Sequence, residues 1–377
     1  MTVLPPLSSA TLSPGLRARF IENVNGMTMH VLEAGYAAGP RPMVLLLHGF
    51  PELAWSWRKV MPRLAEAGFH VVAPDQRGYG RTTGWDACYD GDLRPFGALN
   101  LVRDVMGLLA ALGRESVEAV VGHDFGAMVA AWCGLLRPDI FRSVALMSAP
   151  FSGPPPLTSL ATPVADPIHA ALVALDRPRK HYQRYYSTRE ANENMWRCPQ
   201  GVHAFLRAYY HHKSADWAGN SPFRLASWSA SELAKMPAYY IMDAGLGMAE
   251  TVAAEMPSPA GIAACGWLTD AELRVYSDEY ARTGFQGGLQ WYRCRTEGVL
   301  LAEMQVFSGR SIDVPSLFIA GASDWGVYQS PGAFERMQTT GCTDMRGVHL
   351  IRGAGHWVQQ EKPEEVSALL LDFLESA

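Results

Sequence analysis

The chain has 377 residues, of which 48% are hydrophobic and 18% charged, and its formal net charge is −5. This composition is typical of a globular protein with enough apolar material for a core. The slightly negative charge argues against binding to nucleic acid or to an anionic membrane surface. No apolar run is long enough to span a membrane. Met1 to Leu16 lack the pattern of a secretory signal peptide, so we expect a cytoplasmic protein. The six cysteines form no CxxC pair, so we expect neither disulfides nor a zinc site.

The chain up to Pro150 predicts strands that alternate with helices. Two strands flank an Asn-Gly turn, a strong hairpin signal. The predicted strands are Phe20–Val24, Met27–Leu32, Met43–Leu47, Val71–Ala73, Val117–Val121 and Val144–Met147, and the predicted helices are Trp55–Ala67, Leu99–Leu112 and a third that ends near Leu136. Repeated strand-then-helix units imply right-handed crossovers and a mostly parallel sheet with helices on both faces.

A cluster of prolines from Pro150 to Pro156 interrupts this alternation. The following residues, to about Gly298, are rich in aromatic side chains and short helical segments and contain no clear buried strand. Alternation resumes with a strand at Ser316–Ala320, a helix near Gly332–Gln338, a strand at Val348–Ile351 and a helix at Glu364–Leu374. We therefore predict an α/β core domain of residues 1–150 and 299–377, with a helical cap (lid) domain of residues 151–298 inserted into it. Ligands bind at the carboxyl ends of parallel strands, so the cap should close over that edge.

The sequence Gly122-His123-Asp124-Phe125-Gly126 follows an apolar strand directly and precedes an alanine-rich helix. A strand, a sharp turn and a helix form the nucleophile elbow of α/β-hydrolases, and small flanking residues allow the turn to tighten. The central residue is usually serine, but here it is Asp124. A carboxylate is charged at neutral pH and attacks carbon without a base, which produces an ester. The alternative is that Asp124 only caps the following helix.

Two residues beyond the late strands are suited to hydrolysing an ester on Asp124. His356, after the last predicted strand, has a pKa range that suits a general base. Asp324, after the preceding strand, would fix the tautomer of that histidine. The order nucleophile, acid, histidine is that of α/β-hydrolase triads, although either residue alone is equally compatible with a structural role in its loop. The oxyanion of the tetrahedral intermediate would be held by the backbone N–H groups of Phe50 and Phe125.

Several motifs together resemble those of the epoxide hydrolases of the α/β-hydrolase superfamily, in particular the soluble mammalian and plant type. They are His48–Glu52, Trp55–Arg58, Gly78–Gly80, Gly122–Gly126 and Gly355–Trp357. In the predicted cap, His181–Gln183 and Thr283–Arg293 resemble the segments that carry that family's two catalytic tyrosines. The resemblance covers nearly the whole chain in the family's order. It implies the α/β-hydrolase fold, conversion of an epoxide and water to a vicinal diol, and no metal or organic cofactor.

The resemblance also implies roles for residues that spacing alone does not single out. Tyr182 and Tyr292 would bind the epoxide oxygen, because phenolic O–H groups stabilise a developing alkoxide; otherwise these tyrosines would be packing residues of the cap. The other candidate substrate-binding residues are His48, Pro51, Trp55, Tyr185 and Trp357. The expected partners are a small hydrophobic epoxide and water, and a monomer and a dimer both stay open.

Two other functions compete with this interpretation. A haloalkane or haloacid dehalogenase uses the same aspartyl ester and histidine, but it needs donors for the halide, and the side chains of Phe50 and Phe125 are not donors. A non-catalytic ligand-binding protein on the same scaffold is the other alternative, and it would predict a damaged triad, whereas all three members are present. An esterase is disfavoured, because no serine occupies the position of Asp124.

Overall fold

The central sheet begins with an antiparallel hairpin in this computed structural model, which describes residues 4–36, 39, 41–157 and 167–376. Strands β1 (Leu16–Val24) and β2 (Met27–Ala34) are joined at Asn25-Gly26. Both turn residues have positive φ, 47° and 81°, as a type I′ hairpin turn requires. The predicted hairpin is therefore confirmed.

Strands and helices then alternate. The elements are β3 (Met43–Leu47), α1 (Met61–Glu66), β4 (His70–Pro74), α2 (Ala98–Ala111), β5 (Ala119–His123), α3 (Phe125–Leu136) and β6 (Val144–Met147). The predicted helix Trp55–Ala67 is wrong over its first half. Residues Ala54–Trp57 form a separate 3-10 turn, and α1 begins only at Met61 with Pro62 in its first turn. Proline is tolerated at the start of a helix but not in its interior, so one continuous helix cannot form there.

The next part of the chain is mainly helical. Its elements are α4 (Ile168–Val173), β7 (Arg179–His181), α5 (Tyr182–Tyr186), α6 (Glu190–Trp196), α7 (Gly201–Lys213), α8 (Ala230–Leu233), β8 (Ile241–Asp243), α9 (Met248–Ala253), α10 (Pro259–Ala264), α11 (Asp270–Thr283), α12 (Gln286–Thr296) and α13 (Leu301–Gln305). The sequence shows no clear strand here, yet β7 and β8 pair in antiparallel fashion. At three residues each, these strands are too short to produce a recognisable alternation. Residues 158–166 of the predicted cap lie outside the described residues.

The last part of the chain completes the sheet with β9 (Ser316–Gly321), α14 (Ala333–Arg336), β10 (Met345–Ile351), α15 (Val358–Glu361) and α16 (Pro363–Ser376). The eight strands have the order β1-β2-β4-β3-β5-β6-β9-β10. β2 is antiparallel to both of its neighbours, and all other pairs are parallel. This confirms the predicted α/β-hydrolase sheet. No strand of the described residues between β6 and β9 belongs to this sheet, and the exact domain boundaries at 150 and 299 stay predictions.

The middle of the sheet positions the candidate site. Every residue of β3, β5, β6 and β9 is buried, because helices cover both faces of a parallel sheet. The loops at the carboxyl ends of three of these strands carry Phe50, Asp124 and Asp324, and the loop after β10 carries His356. Residues far apart in the sequence therefore meet at one edge. Among the helices of the described ranges, none combines the length and apolar character needed to cross a membrane.

Candidate active site

Asp124 occupies the sharp turn between β5 and α3, and its φ is +53°. This backbone conformation is uncommon for a residue other than glycine. Glycines make the turn possible: a Cβ on Gly122 would lie 2.0 Å from the carbonyl oxygen of Gly126, and a Cβ on Gly49 would lie 2.4 Å from Cβ of Asp124. The Asp124 side chain makes no capping hydrogen bond to α3, so the alternative of a helix cap is wrong.

Donors and positive charges surround the Asp124 carboxylate. Its Oδ1 accepts a hydrogen bond from the backbone N–H of Phe50 at 3.1 Å, and its Oδ2 lies 3.5 Å from Nε2 of His356. Phe125 is the first residue of α3, so no carbonyl of its own helix accepts its N–H. Burial acts to raise the pKa of Asp124, but the nearby imidazole of His356 and the charge of Lys213 outweigh burial and hold the pKa below its usual range. The carboxylate therefore stays ionised.

His356 and Asp324 form a buried pair beside this carboxylate. Nδ1 of His356 lies 3.0 Å and 3.2 Å from the two carboxylate oxygens of Asp324, and both side chains are 1% exposed. Burial acts to raise the pKa of Asp324, but the charge and hydrogen bond of His356 and the N–H of Gly326 lower it overall. An ionised Asp324 holds the imidazole proton on Nδ1. Nε2 of His356 has no hydrogen-bond partner in the part of the chain that the structure describes and can accept a proton.

Tyr182 and Tyr292 come together from two helices, α5 and α12. Their ring centroids are 5.8 Å apart, and the ring of Tyr292 lies 4.6 Å from that of Phe125. Burial, followed by the negative charge of Asp124, raises the pKa of both phenols above the usual range. Both phenols therefore stay protonated near neutral pH and can act as hydrogen-bond donors.

The two hydroxyl groups differ in their hydrogen bonds. The hydroxyl of Tyr182 donates to Oε1 of Gln329 at 3.1 Å and accepts from Nε2 of Gln183 at 3.0 Å. The hydroxyl of Tyr292 has no hydrogen bond to any described residue. A ligand oxygen would therefore have to replace Gln329 at Tyr182, whereas Tyr292 has no such bond to exchange.

A cavity of about 390 Å³ opens beside the Asp124 carboxylate. Asp124, Phe125 and Tyr182 line it, together with Gln329 and many apolar side chains. Tyr292 is not among the lining residues, although its neighbour Trp291 is. The structure thus brings the predicted nucleophile, base, acid and both tyrosines to one place, but only part of this group faces the cavity directly.

The other candidate substrate-binding residues do not line this cavity. They are His48, Pro51, Trp55, Tyr185 and Trp357. His48 is fully buried, with Nδ1 2.9 Å from the Gly49 carbonyl and Nε2 accepting from the Gln76 N–H at 3.1 Å. Tyr210 contacts two others, because its hydroxyl donates to the Pro51 carbonyl at 3.1 Å and its carbonyl accepts from Nε1 of Trp357 at 2.8 Å.

Trp55 and Tyr185 are also buried away from the cavity. Each is at most 5% exposed. The Trp55 ring contacts the guanidinium of Arg58 at 5.1 Å, and the Tyr185 ring contacts the ammonium of Lys180 at 4.5 Å. Their assignment to the binding surface stays a prediction. All five residues pack within the protein, and a motif in one sequence cannot distinguish such packing from ligand contact.

Comparison with known proteins agrees with this geometry. The family model for the alpha/beta hydrolase fold matches residues 42–363. Epoxide hydrolase B of Mycobacterium tuberculosis is 33% identical over 358 residues, which cover 94% of this chain and 97% of that protein. Epoxide hydrolase A of the same organism is 36% identical over 360 residues, covering 93% and 95%.

The chain belongs to the epoxide hydrolase family of α/β-hydrolases. Solved structures of that family are similar to this protein over nearly the whole chain. An epoxide hydrolase from an endophytic Streptomyces has a TM-score of 0.76 at 30% identity and covers 96% of both chains. Epoxide hydrolase I of potato has a TM-score of 0.73 at 29% identity and covers 96% of this chain and all of its own.

This member of the epoxide hydrolase family also holds functional candidates that the sequence analysis missed. The carboxylate of Glu361 accepts backbone N–H groups on both sides of His356, from Gly355 at 2.9 Å and from Trp357 at 3.0 Å. It also accepts the N–H of Ala215, two residues after the end of α7, at 2.9 Å. Glu361 thus joins the histidine loop to the predicted cap. The only sequence signal was a glutamate shortly after the histidine motif.

A second carboxylate supports the same loop from the core. Glu52 Oε2 lies 2.6 Å from Nδ1 of His123, and Nε2 of His123 lies 2.7 Å from the backbone carbonyl oxygen of His356. The other oxygen of Glu52 accepts hydrogen bonds from Gln359 and Gln360, both at 2.9 Å. The backbone of His356 is therefore held by hydrogen bonds from two sides, which favours one orientation of its ring.

Lys213 is a buried cation close to these carboxylates. It is 4% exposed, and no ion-pair partner lies within 4 Å of it among the described residues. Its ammonium group lies 5.2–5.7 Å from the ring centroids of Tyr209, Tyr239, Tyr240 and Trp357. Burial lowers the pKa of Lys213, against the opposing charges of Asp124 and Asp324. Charge balance and contact with aromatic faces both explain how this cation is tolerated.

Proposed function

We propose that the protein converts an epoxide and water to a vicinal diol through a covalent ester on Asp124. The observation that carries the proposal is the carboxylate at the elbow, which lies 3.5 Å from the unpartnered Nε2 of His356 and shares its cavity with the phenol of Tyr182. A serine at this position would favour an esterase. The names of the similar proteins support the same activity.

In the first step, Oδ2 of Asp124 attacks a carbon of the epoxide ring. Oδ1 is engaged by the Phe50 N–H, which leaves Oδ2 as the attacking atom. The ring C–O bond breaks, and its electron pair moves to the epoxide oxygen. Tyr182 and Tyr292 stabilise this charge, and one of the phenols donates a proton, so that a hydroxyl forms. The phenolate regains a proton after the second step, when the regenerated carboxyl group of Asp124 releases the other proton of the hydrolytic water.

In the second step, His356 removes a proton from water, and the resulting hydroxide adds to Cγ of Asp124. Asp324 stabilises the imidazolium that forms. The oxyanion develops on Oδ1, where the N–H groups of Phe50 and Phe125 can hold it. When the intermediate collapses, the bond between Cγ and Oδ2 breaks, and the diol leaves with Oδ2 and a proton from His356.

The two phenols and the boundaries of the cap belong to the same proposal. Tyr182 and Tyr292 both come from the segment between β6 and β9, outside the main sheet. We infer that residues 151–298 form an inserted cap that supplies the groups for the epoxide oxygen, while the core supplies nucleophile, acid and base. The small hydrophobic epoxide substrate, the cytoplasmic location and the choice between monomer and dimer stay predictions.

The variant His356→Gln tests the proposal because it removes the base and leaves the nucleophile. The variant is mixed with an aryl epoxide or a haloalkane and denatured, and its intact mass is measured. The expected result is a mass gain equal to the whole epoxide, located on Asp124 and absent in the control His356→Gln/Asp124→Ala. A gain equal to the alkyl group of a haloalkane alone would identify a dehalogenase instead. Binding of the epoxide without any adduct would favour a ligand-binding protein.

A further inference from the structure

Gln329 contacts the proposed reaction centre through the hydroxyl of Tyr182. Its Oε1 accepts the hydroxyl proton of Tyr182 at 3.1 Å, and both residues line the cavity beside Asp124. A phenolic hydroxyl carries a single proton and therefore makes one full hydrogen bond as a donor. The mechanism proposed above requires this same proton for the epoxide oxygen. Gln329 and the substrate thus need the same donor.

The loop after β9 sets the orientation of the Gln329 amide. The backbone N–H of Gln329 donates to the carbonyl of Trp325 at 2.9 Å. Its side-chain Nε2 donates to the carbonyl of Gly326 at 3.4 Å, and the N–H of Gly326 donates to Oδ1 of Asp324 at 2.7 Å. Because Nε2 faces this loop, Oε1 faces Tyr182. The amide therefore presents an acceptor to the phenol and not a donor.

The ring of Tyr182 is held by packing rather than by Gln329. Tyr182 is buried, and its ring centroid lies 5.1 Å from the rings of His181 and Tyr240 and 5.5 Å from the ring of Tyr186. Close packing of this kind fixes the position of a side chain. The hydrogen bond to Gln329 therefore sets the direction of the hydroxyl proton. Loss of the Oε1 acceptor should free this proton without displacing the ring.

The second partner of the same hydroxyl has the opposite character. Nε2 of Gln183 donates to the hydroxyl oxygen of Tyr182 at 3.0 Å, and Gln183 also lines the cavity. Burial and the negative charge of Asp124 raise the pKa of Tyr182, and the hydrogen bond from Gln183 acts against that rise. A hydrogen bond accepted by a hydroxyl strengthens the one that it donates. Gln183 therefore makes the phenol a better donor, whereas Gln329 occupies its proton.

We propose that Gln329 is a positioning residue that competes with the epoxide oxygen for the hydroxyl proton of Tyr182 and so leaves Tyr292 as the stronger donor. This inference rests on the proposed function and deepens its first step. At Tyr292 no hydrogen bond to another described residue has to be broken. At Tyr182 the competing bond should reduce the second-order rate constant of ester formation about fivefold, the effect of one ordinary hydrogen bond.

The test replaces each glutamine by methionine, which keeps the length of the side chain and removes its amide. Ester formation with styrene oxide is followed by intact mass in the His356→Gln background, once with the native Tyr182 and once with Tyr182→Phe. Gln329→Met should raise the second-order rate constant about fivefold with the native tyrosine and by less than about twofold with Tyr182→Phe. The matched variant Gln183→Met should give no increase in either background, because it removes a donor to the phenol and not the competing acceptor.

Two further measurements separate competition for the proton from a structural role. Hydrolysis of the ester, measured by rapid quench with the native His356, should not change in Gln329→Met, because the phenol proton is used only in ring opening. Gln329→Asn keeps an amide that is too short to reach the phenol, so it should accelerate ester formation as methionine does. Slowing of both steps, acceleration that persists with Tyr182→Phe, or acceleration by methionine but not by asparagine would overturn the proposal.

A binding measurement distinguishes failure of this inference from failure of the proposed function. The probe is 2-phenyltetrahydrofuran, whose ring oxygen accepts a hydrogen bond but whose unstrained ring is not opened, and its affinity is measured by calorimetry. Gln329→Met should bind it about fivefold more tightly than the wild-type protein, and Tyr182→Phe should abolish this difference. If no epoxide forms an ester but the difference is found, the proposed reaction is wrong and the competition at Tyr182 stands. An affinity that Gln329→Met leaves unchanged would refute the inference, whether or not epoxides are hydrolysed.

Discussion

The two tyrosines give the most informative prediction, because they differ in their hydrogen bonds. Tyr292→Phe and Tyr182→Phe each remove one hydroxyl from the proposed site of the epoxide oxygen. A donor that stabilises a developing oxyanion contributes about 10²- to 10³-fold to the rate. Tyr182 already donates to Gln329 at 3.1 Å, whereas Tyr292 has no hydrogen-bond partner among the described residues.

This difference predicts unequal effects. Tyr182 must give up a hydrogen bond worth about 1 kcal/mol before it can donate to the substrate, which reduces its contribution about fivefold. We therefore expect Tyr292→Phe to slow ester formation about 10³-fold and Tyr182→Phe about 2 × 10²-fold. Hydrolysis of the ester should hardly change, because the alkoxide exists only in the first step.

The assay follows the two steps separately. Ester formation is measured from the time course of intact mass in a His356→Gln background, where the ester accumulates. Ester hydrolysis is measured by rapid quench with the native histidine. Tyr185→Phe is a matched control, since Tyr185 lies on the same helix as Tyr182 but outside the cavity. Equal slowing of both steps, or losses no larger than that of Tyr185→Phe, would refute the reasoning.

Three further predictions concern the elbow, the histidine loop and the hairpin. Gly49→Ala should reduce kcat at least 10²-fold and destabilise the fold by about 1–3 kcal/mol, because the new Cβ would lie 2.4 Å from Cβ of Asp124. Steady-state kinetics measure the change in kcat, and thermal unfolding measures the loss of stability. Glu361→Gln should slow ester hydrolysis about tenfold more than ester formation, seen as accumulated ester in intact mass, because only hydrolysis uses His356 as base. Burial acts to raise the pKa of Glu33, but hydrogen bonds from a histidine and two arginines hold this pKa below its usual range. The ionised Glu33 therefore stabilises the folded protein at any pH above the unfolded pKa, and this stabilisation is lost as the pH falls. Glu33→Gln should therefore destabilise the protein by about 1–3 kcal/mol at pH 7, and this loss should shrink progressively as the pH falls from the unfolded pKa of about 4.3 toward the lower folded pKa, as measured by urea unfolding.

Each of these predictions has a contrary outcome. Full activity of Gly49→Ala would mean that the elbow tolerates a side chain against Asp124. Equal slowing of both steps by Glu361→Gln would indicate general damage rather than a specific effect on the base. A loss of stability in Glu33→Gln that does not depend on pH would show that its charge is unimportant.

The sequence predicts those parts of the fold and site that depend on local pattern. Buried strands such as Met43–Leu47 are recognisable because both faces of a parallel sheet are covered, and the hairpin because Asn25-Gly26 favours positive φ. The elbow and the order of Asp124, Asp324 and His356 follow from motifs beside such strands. In the structure, Nδ1 of His356 lies within hydrogen-bonding distance of Asp324. Nε2 of the same residue lies 3.5 Å from Oδ2 of Asp124.

Contacts between distant segments could not be predicted in this way. Glu361 and Gln329 act through partners that only the fold brings close, and neither stands in a recognisable motif. The binding residues inferred from motifs, such as His48 and Trp357, are instead buried among protein partners.

The most direct test of the Asp124 ester is a single turnover in H₂¹⁸O with the enzyme in excess over an epoxide. If water attacks Cγ of the ester, the first diol takes its new oxygen from the carboxylate and contains no ¹⁸O, while the peptide that carries Asp124 gains one ¹⁸O. Diol from later turnovers should then carry the label. An ¹⁸O-labelled diol in the first turnover, with an unlabelled Asp124 peptide, would mean that water attacks the epoxide directly and would contradict the covalent mechanism.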